Sequence, residues 1–295
     1  MIIRSFVEKN PIIMIVIGVL GISLSSIFVK FSTAPSSVTA AYRLLWTVLL
    51  MTPTVAFSKA NRKEFRMLEK KDLFLSVLSG IFLALHFVTW FESLQHTSVA
   101  SSTTIVCTEV IWVSLGYCLF LKGKLPFKAV SIISVALLGS VMIAIADNSA
   151  GGSHLYGDIL ALLAAVAVAV YVLIGRVVRA RVSTTVYTYV VYCSCSIVLL
   201  LIALYQGVSL IGYGVSAVVV GLLLAIFSTI LGHSIFSWCL KYFTPSFVSA
   251  SKLCEPVAAG ILAFFLFGER PVALQLLGGV LIISSVYFYS KLESN

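Results

Sequence analysis

The sequence predicts an all-α polytopic membrane protein with ten transmembrane helices in a 5+5 inverted repeat. Three observations lead to this prediction: an apolar composition, ten apolar segments, and a likeness between the two halves of the chain. Of the 295 residues, 60% are hydrophobic and only 11% are charged, whereas soluble domains average about 45–50% apolar and about 25% charged residues. The composition therefore excludes a soluble globular protein, a disordered chain and a disulfide scaffold.

Ten mostly apolar segments follow one another along the chain, each close to the length of about 20 residues that a membrane helix needs. We number them spans 1 to 10, and they run 11–31, 36–58, 73–95, 98–121, 127–146, 156–177, 184–205, 215–239, 246–267 and 272–290. The connections are short, and no soluble domain fits between them. Span 1 lacks a small-residue cleavage site and is predicted to be an uncleaved helix rather than a signal peptide.

Lysine and arginine residues indicate the side of each connection, because they accumulate in loops that stay in the cytoplasm. With a cytoplasmic N-terminus, one side receives 16 of them: Arg4, Lys9, Lys59, Arg62, Lys63, Arg66, Lys70, Lys71, Lys122, Lys124, Lys128, Arg176, Arg179, Arg181, Lys241 and Lys291. The other side receives only Lys30 and Arg270. The sequence therefore predicts a multi-pass protein of the cell membrane with both termini in the cytoplasm. The net charge of +9 then reflects topology, and no nucleic-acid partner is expected.

A repeat relates two halves of the chain, 1–148 and 155–295. Shifts of 146 to 148 residues superimpose four pairs: Glu109 and Glu255, Lys30 and Arg176, His86 and His233, and Trp90 and Trp238. Because each half contains an odd number of spans, the second half enters the membrane from the opposite side. Inverted repeats are typical of secondary transporters, and a duplicated helix bundle without transport is the alternative.

The run GHSIFSWCLKYFTPSFVSASKLCEPVAAGILAFFLFGERPVALQLLGGVLI (232–282) and its first-half counterpart LALHFVTWFESLQHTSVASST (83–103) carry a family resemblance. Its most specific motifs are Glu255-Pro256, Phe267-Gly268-Glu269 and Leu277-Gly278-Gly279. Together with the paired halves, they resemble the EamA-type branch of the drug/metabolite transporter superfamily over essentially the whole chain.

The first half departs from the pattern of that family at two places. Val110 follows Glu109 where the family often has proline, and Lys122-Gly123-Lys124 stands where it often has Gly-Glu. The resemblance implies ten helices, cytoplasmic termini and movement of small organic solutes or metabolites. It does not name the substrate.

Charged side chains inside the spans are candidate substrate-binding or coupling residues, because a charge at mid-bilayer costs about 2.5–3.5 kcal/mol on insertion scales. Five positions qualify: Arg43, Glu92, Glu109, Lys252 and Glu255. His86 and His233 join them, since histidine titrates near neutral pH.

Glu255 lies near mid-depth in span 9, and Pro256 after it frees a backbone carbonyl one turn earlier. Lys252 lies three residues before Glu255 on the same helical face. Glu255 therefore either faces a cavity, where it binds a cation, a proton or an amino group, or forms a buried pair with Lys252. Glu109 occupies the matching place in the first half, and two carboxylates that meet would share one proton.

The other candidates each allow two interpretations. Arg43 and Glu92 are predicted in the outer half of the membrane, where they form a structural pair or outer gate, unless Arg43 meets a substrate carboxylate. His86 near the middle of span 3 and His233 nearer the cytoplasmic end of span 8 are hydrogen-bonded core residues or a proton relay. Trp90 and Trp238 line a substrate cavity, where their faces attract ammonium groups, or they are packing residues.

Several classes of protein lack support in the sequence. No P-loop or recognised hydrolase motif occurs, and the six cysteines form no metal-binding pattern, so no cofactor, metal or direct use of ATP is expected. The sequence predicts a secondary active transporter that moves a small polar metabolite, an amino acid or amine-like solute, by alternating access, with proton coupling left open. The alternative is a polytopic membrane enzyme acting on a lipid or lipid-linked substrate. The predicted partners are the solute and the bilayer, in a monomer or homodimer.

Overall fold

The computed structural model describes residues 11–97, 99–147, 155–267 and 272–294. Within these residues the chain is helical and contains no strand, so the predicted all-α class is confirmed. Eight of the described helices are long and apolar enough to cross a membrane. The two other spans differ, because the apolar part of span 5 is the shorter Phe127–Ile143 and span 9 is divided into three pieces.

The helices begin and end within a few residues of the predicted spans. In the first half they are Pro11–Lys30, Ser36–Phe57, the loop helix Lys59–Arg66, Lys70–His96, Val99–Cys107, Glu109–Phe120 and Phe127–Asp147. In the second half they are Leu155–Val178, Thr184–Tyr205, Gly214–Leu223, Leu224–Ser234, Ile235–Cys239, Pro245–Ser251, Lys252–Cys254, Glu255–Phe267 and Ala273–Ser294. Arg4, Lys9, Gly268, Glu269 and Arg270, which the sequence analysis used, lie outside the described residues.

Spans 4 and 9 both break immediately before a glutamate. Span 4 is interrupted at Thr108, and its second helix begins at Glu109. Span 9 passes through a 3₁₀ turn at Lys252–Cys254, and its second helix begins at Glu255. Both carboxylates therefore lie at the positive N-terminal end of a half-helix, which favours a negative charge.

Span 8 contains a π-helical stretch, Leu224–Ser234, that its repeat partner, span 3, lacks. Two hydroxyl groups follow the wider winding: Thr229 donates to the carbonyl of Leu224 at 3.2 Å, and Ser234 donates to the carbonyl of Thr229 at 3.2 Å, each reaching five residues back. Inserted π turns of this kind are frequent at functional sites.

The packing of the spans respects the repeat. Span 3 packs along span 6, and span 8, its counterpart, packs along span 1. Span 2 packs on span 7, and span 5 packs on span 10. In each of these two contacts the partners are counterparts in the repeat. This symmetry agrees with the predicted division of the chain into two repeats.

Spans 5 and 10 approach each other closely at two glycines. A Cβ atom on Gly139 would lie 2.7 Å from the carbonyl oxygen of Gly278, and a Cβ atom on Gly278 would lie 2.6 Å from the carbonyl oxygen of Gly139. Glycine is therefore required at both positions for the two backbones to meet. Small residues at such crossings are typical of membrane helix packing.

Polar contacts close both ends of the bundle around its centre. On the predicted outer side, Ser37 donates to the side-chain oxygen of Gln206 at 2.7 Å, and the Tyr42 hydroxyl donates to the carbonyl of Leu210 at 2.6 Å. On the predicted cytoplasmic side, Arg181 donates two hydrogen bonds to Asp72, at 3.2 and 2.5 Å. The Asp72 carboxylate raises the pKa of the Arg181 guanidinium through this contact.

Candidate functional site

A small cavity lies at the centre of the bundle, where spans 1, 2, 3, 4, 6, 8 and 9 meet. Its volume is about 30 Å³, which is room for about two water molecules. Seven of the nine predicted site residues line it: Arg43, His86, Trp90, Glu109, His233, Lys252 and Glu255. The two others, Glu92 and Trp238, do not. The tertiary structure thus brings together predicted site residues that are up to 212 positions apart, from Arg43 to Glu255.

The strongest charged contact in the cavity joins the two halves of the chain. Lys252 Nζ donates to Glu109 Oε1 at 2.8 Å, and the two side chains are only 8% and 4% exposed. The predicted alternative in which Lys252 pairs with Glu255 is therefore wrong. Glu109 begins the helix after the break in span 4 and Lys252 begins the 3₁₀ turn in span 9, so their contact joins two helix breaks.

Glu255 is left without a charged partner. Its carboxylate has no ion pair or hydrogen bond within the described parts of the chain, although the side chain is 91% buried and faces the cavity. Ser23 donates a hydrogen bond to the backbone carbonyl of Glu255 at 3.4 Å, not to its carboxylate. An unpaired carboxylate in a membrane protein is costly, and it is the feature of the cavity that most requires a ligand or a proton.

Arg43 is held by hydroxyl groups from two other spans. Its Nε donates to Thr229 at 2.7 Å and its Nη1 donates to Ser25 at 3.3 Å, while the guanidinium carbon lies 4.1 Å from the centre of the Phe87 ring. The side chain is 99% buried, and Nη2 has no hydrogen-bond acceptor among the described residues. One donor of the guanidinium therefore remains available at the cavity.

The predicted pair between Arg43 and Glu92 is absent. Glu92 instead contacts His96 at 3.2 Å at the end of span 3, where the glutamate side chain is 44% exposed. The reason is geometric, since Glu92 lies six residues beyond His86 and an α-helix turns by about 100° per residue. Glu92 therefore points about 120° away from the cavity face and about 9 Å farther along the axis.

The two histidines meet in the cavity, with ring centres 6.2 Å apart. His86 Nδ1 lies 3.1 Å from the carbonyl oxygen of Ala164, which can only accept, so this nitrogen carries a proton. His233 Nδ1 has no partner among the described residues. His233, predicted nearer the cytoplasmic end of span 8, lines the same cavity as His86.

The two tryptophans lie in different cavities. Trp90 lies in the cavity, stacks on His86 with ring centres 5.9 Å apart, and leaves its Nε1 donor without an acceptor among the described residues. Trp238 lies instead in a cleft of about 380 Å³ beside Arg179 and Lys241, and it packs on Tyr242 with ring centres 4.3 Å apart. The predicted placement of Trp238 in the substrate cavity is therefore wrong.

The sequence analysis missed the residues that position Arg43 and His233. Ser25 and Thr229 hold the guanidinium, and the Tyr171 ring lies edge-on to His233 with centres 6.0 Å apart. The available signal was weak, because hydroxyl groups are common inside membrane helices. Only their contact with a buried cation distinguishes these residues from ordinary packing residues.

A family model described as the EamA-like transporter family matches the chain twice, at residues 9–145 and 155–291. A Bacillus subtilis (strain 168) protein named uncharacterized transporter YxxF is 24% identical over 282 residues, which cover 95% of this chain and 88% of that protein. An uncharacterized transporter of Archaeoglobus fulgidus is 22% identical over 218 residues, covering 73% of this chain and 75% of the relative. The family and both names indicate a transporter rather than an enzyme.

The fold also matches a protein solved by crystallography. The superposition covers 97% of this chain and 98% of the other, with a TM-score of 0.78 and 16% sequence identity. At this identity the likeness concerns the fold alone. It agrees with the two-repeat, all-helical architecture described above.

Proposed function

This chain belongs to the EamA-like transporter family, and on that premise we propose that it moves a small polar metabolite bearing an ammonium group across the cytoplasmic membrane. The solute is an amino acid or an amine-like compound. Transport is secondary and proceeds by alternating access of the central cavity, with both chain termini in the cytoplasm. The observation that carries the proposal is the unpaired Glu255 carboxylate in a cavity that also holds an unpaired donor of Arg43.

The chemistry of the cavity supports a substrate with charge of both signs. Two carboxylates, Glu109 and Glu255, share the cavity with only one cation, Lys252, in contact with either of them. An ammonium group entering beside the carboxylates would give Glu255 a direct partner, and charge-assisted hydrogen bonds are the strong ones in a buried site. Arg43 Nη2 and the Trp90 indole nitrogen then remain as donors for a carboxylate or another acceptor.

The size of the cavity supports alternating access. Pockets that hold metabolites occupy about 300–1,000 Å³, whereas this cavity measures about 30 Å³. A substrate therefore enters only if the helices around the cavity separate, and the polar contacts at the two ends belong to different loops. Opening one set while the other stays closed exposes the cavity to one side at a time.

Proton coupling is part of the proposal. Glu255 and His233 both line the cavity. The lysine beside Glu255 pairs with Glu109 instead, and His233 Nδ1 has no hydrogen-bond partner among the described residues. Each can therefore bind or release a proton without breaking a contact that holds the fold. A proton on Glu255 in the empty site would remove the cost of its unpaired charge.

The test is transport by the purified full-length protein in proteoliposomes free of ATP. Counterflow is screened with radiolabelled amino acids, amines and nucleobases, with and without a pH gradient. We expect exchange of an ammonium-bearing solute, and loss of at least tenfold of that exchange in Glu255→Gln, which removes a charge-assisted contact worth about 1.5–3 kcal/mol. Glu69→Gln makes the same change on an exposed loop residue and serves as the matched control.

Two results would overturn the proposal. One is wild-type exchange in Glu255→Gln. The other is the absence of counterflow for every solute in the screen. Mass spectrometry of both compartments separates transport from the membrane-enzyme alternative, because an enzyme changes the solute whereas a transporter only relocates it.

A further inference from the structure

The buried pair of Lys252 and Glu109 lies where the two halves of the chain are most directly joined. Glu109 is the first residue of the second helix of span 4, and Lys252 is the first residue of the 3₁₀ turn in span 9. Their contact of 2.8 Å therefore connects two helix breaks across the cavity. A mid-helix 3₁₀ segment often marks a hinge, so a change in this contact is coupled to the shape of both broken spans.

The surroundings of the lysine ammonium group are those expected for an ammonium ligand. Lys252 Nζ is held by the Glu109 carboxylate and lies 5.4 Å from the centre of the Phe236 ring. A carboxylate and an aromatic face together bind amines in many sites. The lysine side chain thus fills a place that a free amine would also fit, and it does so in a cavity with no room for a metabolite.

A second carboxylate lies within reach of the same lysine. Glu255 is three residues beyond Lys252, at the end of the 3₁₀ turn, and in a 3₁₀ turn residues three apart are stacked on one face. Glu255 has no charged partner in the observed state. Lys252 can therefore move from Glu109 to Glu255 without becoming an uncompensated buried charge. Glu109 stays neutralised if another cation takes the place of the lysine.

We propose that Lys252 is a tethered substitute for the substrate's ammonium group: it neutralises Glu109 in the empty site and moves to Glu255 when the substrate's ammonium binds Glu109. This inference rests on the proposed function and adds a specificity-determining residue to it. With substrate bound, each carboxylate has one cation. With the site empty, only Glu109 is neutralised by the lysine. A solute without an ammonium group cannot displace Lys252, because Glu109 would be left unpaired.

The test compares Lys252→Met with Lys252→Arg in full-length protein, using L-alanine, ethylammonium and propionate as probes of binding and the best counterflow solute for transport. A tethered group competes at an effective concentration in the millimolar range, so Lys252→Met is expected to lower the KM and Kd of ammonium-bearing solutes about tenfold. Propionate binding should not improve. Lys252→Arg keeps a cation and should stay near the wild-type KM, and Lys291→Met is the control for loss of a lysine outside the cavity.

An unchanged or higher KM in a folded Lys252→Met protein overturns the inference. If that variant does not fold, the double variant Lys252→Met/Glu109→Gln removes both charges together, a change that buried pairs often tolerate. The inference predicts that the double variant folds but loses at least tenfold in affinity for ammonium-bearing solutes, because Glu109 no longer receives them. Recovery of wild-type KM in the double variant shows a purely structural pair and contradicts the proposal.

The outcomes also separate this inference from the proposed function. Wild-type protein that exchanges no solute contradicts the proposed function itself. Wild-type protein that exchanges an ammonium-bearing solute, with no change in KM among the Lys252 variants, contradicts only the role given to Lys252.

Discussion

Spans 3 and 8 are counterparts in the repeat, yet they present their aromatic residues differently. Span 3 is a regular α-helix, and His86 and Trp90, four residues apart, both line the cavity. Span 8 contains a π-helical stretch, and His233 lines the cavity while Trp238, five residues on, lies in a separate cleft. Each span therefore contributes a histidine to the cavity, but only span 3 also contributes a tryptophan.

The spacing explains the difference. Four residues along an α-helix return to within about 40° of the same direction, whereas five residues turn about 140° away. The π stretch ends at Ser234, so the segment from His233 to Trp238 is almost entirely α-helical and the tryptophan faces away. The comparison teaches that sequence correspondence within a repeat does not fix the direction in which a side chain points.

The largest expected effect concerns Arg43, which is tied to span 8 through Thr229. Arg43→Leu removes hydrogen bonds of a buried charged group worth about 1.5–3 kcal/mol, which corresponds to a loss of about 10- to 100-fold in transport. Arg43→Lys should recover little, because lysine cannot reproduce the planar set of donors. Initial rates in proteoliposomes, normalised to folded protein, check the prediction, and near-normal rates in Arg43→Leu would contradict it.

The next effect tests the two tryptophans directly. Trp90→Ala removes a buried ring that stacks on His86, and we expect about a tenfold loss of transport, since an aromatic contact of this kind is worth about 0.5–1.5 kcal/mol. Trp238→Ala is the matched change in the counterpart span and should reduce transport less than threefold. Equal losses in the two variants, measured as kcat/KM for the same solute, would break the comparison between spans 3 and 8.

A smaller effect is expected from the histidines, and it is one of pH dependence. His86 is held by the carbonyl of Ala164, whereas His233 Nδ1 has no partner in the described part of the chain. We therefore expect His233→Gln to change the shape of the pH profile of transport, because a ring nitrogen without a hydrogen-bond partner can take up a proton when the cavity opens to water. His86→Gln should lower the rate at all pH values without changing the shape of the profile, and the reverse pattern would contradict the assignment.

The smallest effect is expected at the start of span 3. Asp72 in the first turn binds Arg181, whereas the first turn of span 8 carries no acidic residue. Asp72 is buried, whereas its partner Arg181 is about half exposed, and Asp72→Asn keeps a hydrogen-bonding side chain of the same size, so transport should change less than threefold. Because Asp72 raises the pKa of Arg181, the part of the stabilisation that depends on the arginine charge is fully present below the ordinary pKa of arginine and is lost in strongly alkaline solution. Thermal unfolding of the variant and the wild type should therefore differ by the same amount at pH 6 and pH 8.

Much of the fold could be predicted from residue type and order. Apolar runs of about 20 residues set the positions of the spans, and the ten predicted segments agree with the helix bounds to within a few residues. The family match at 9–145 and 155–291 follows the repeat that the glutamates and histidines revealed. These features are local or periodic, so a single sequence contains them.

The partners of the charged residues could not be predicted in the same way. The intramembrane position of Lys252, Glu109 and Glu255 marked them as candidates, but only the tertiary structure decided that Lys252 binds Glu109 and leaves Glu255 unpaired. That outcome depends on two helix breaks and on the crossing of spans 4 and 9, which bring residues 143 positions apart into contact.

The sequence by itself determined that this chain crosses the membrane repeatedly, that its halves are related, and which buried ionisable groups deserve a role. The tertiary structure alone decided which of those groups face one another. The physical reason is that hydrophobicity and helix periodicity act along the chain, whereas the direction of a side chain depends on helix rotation, and one extra residue in a π turn shifts that rotation by about 100°.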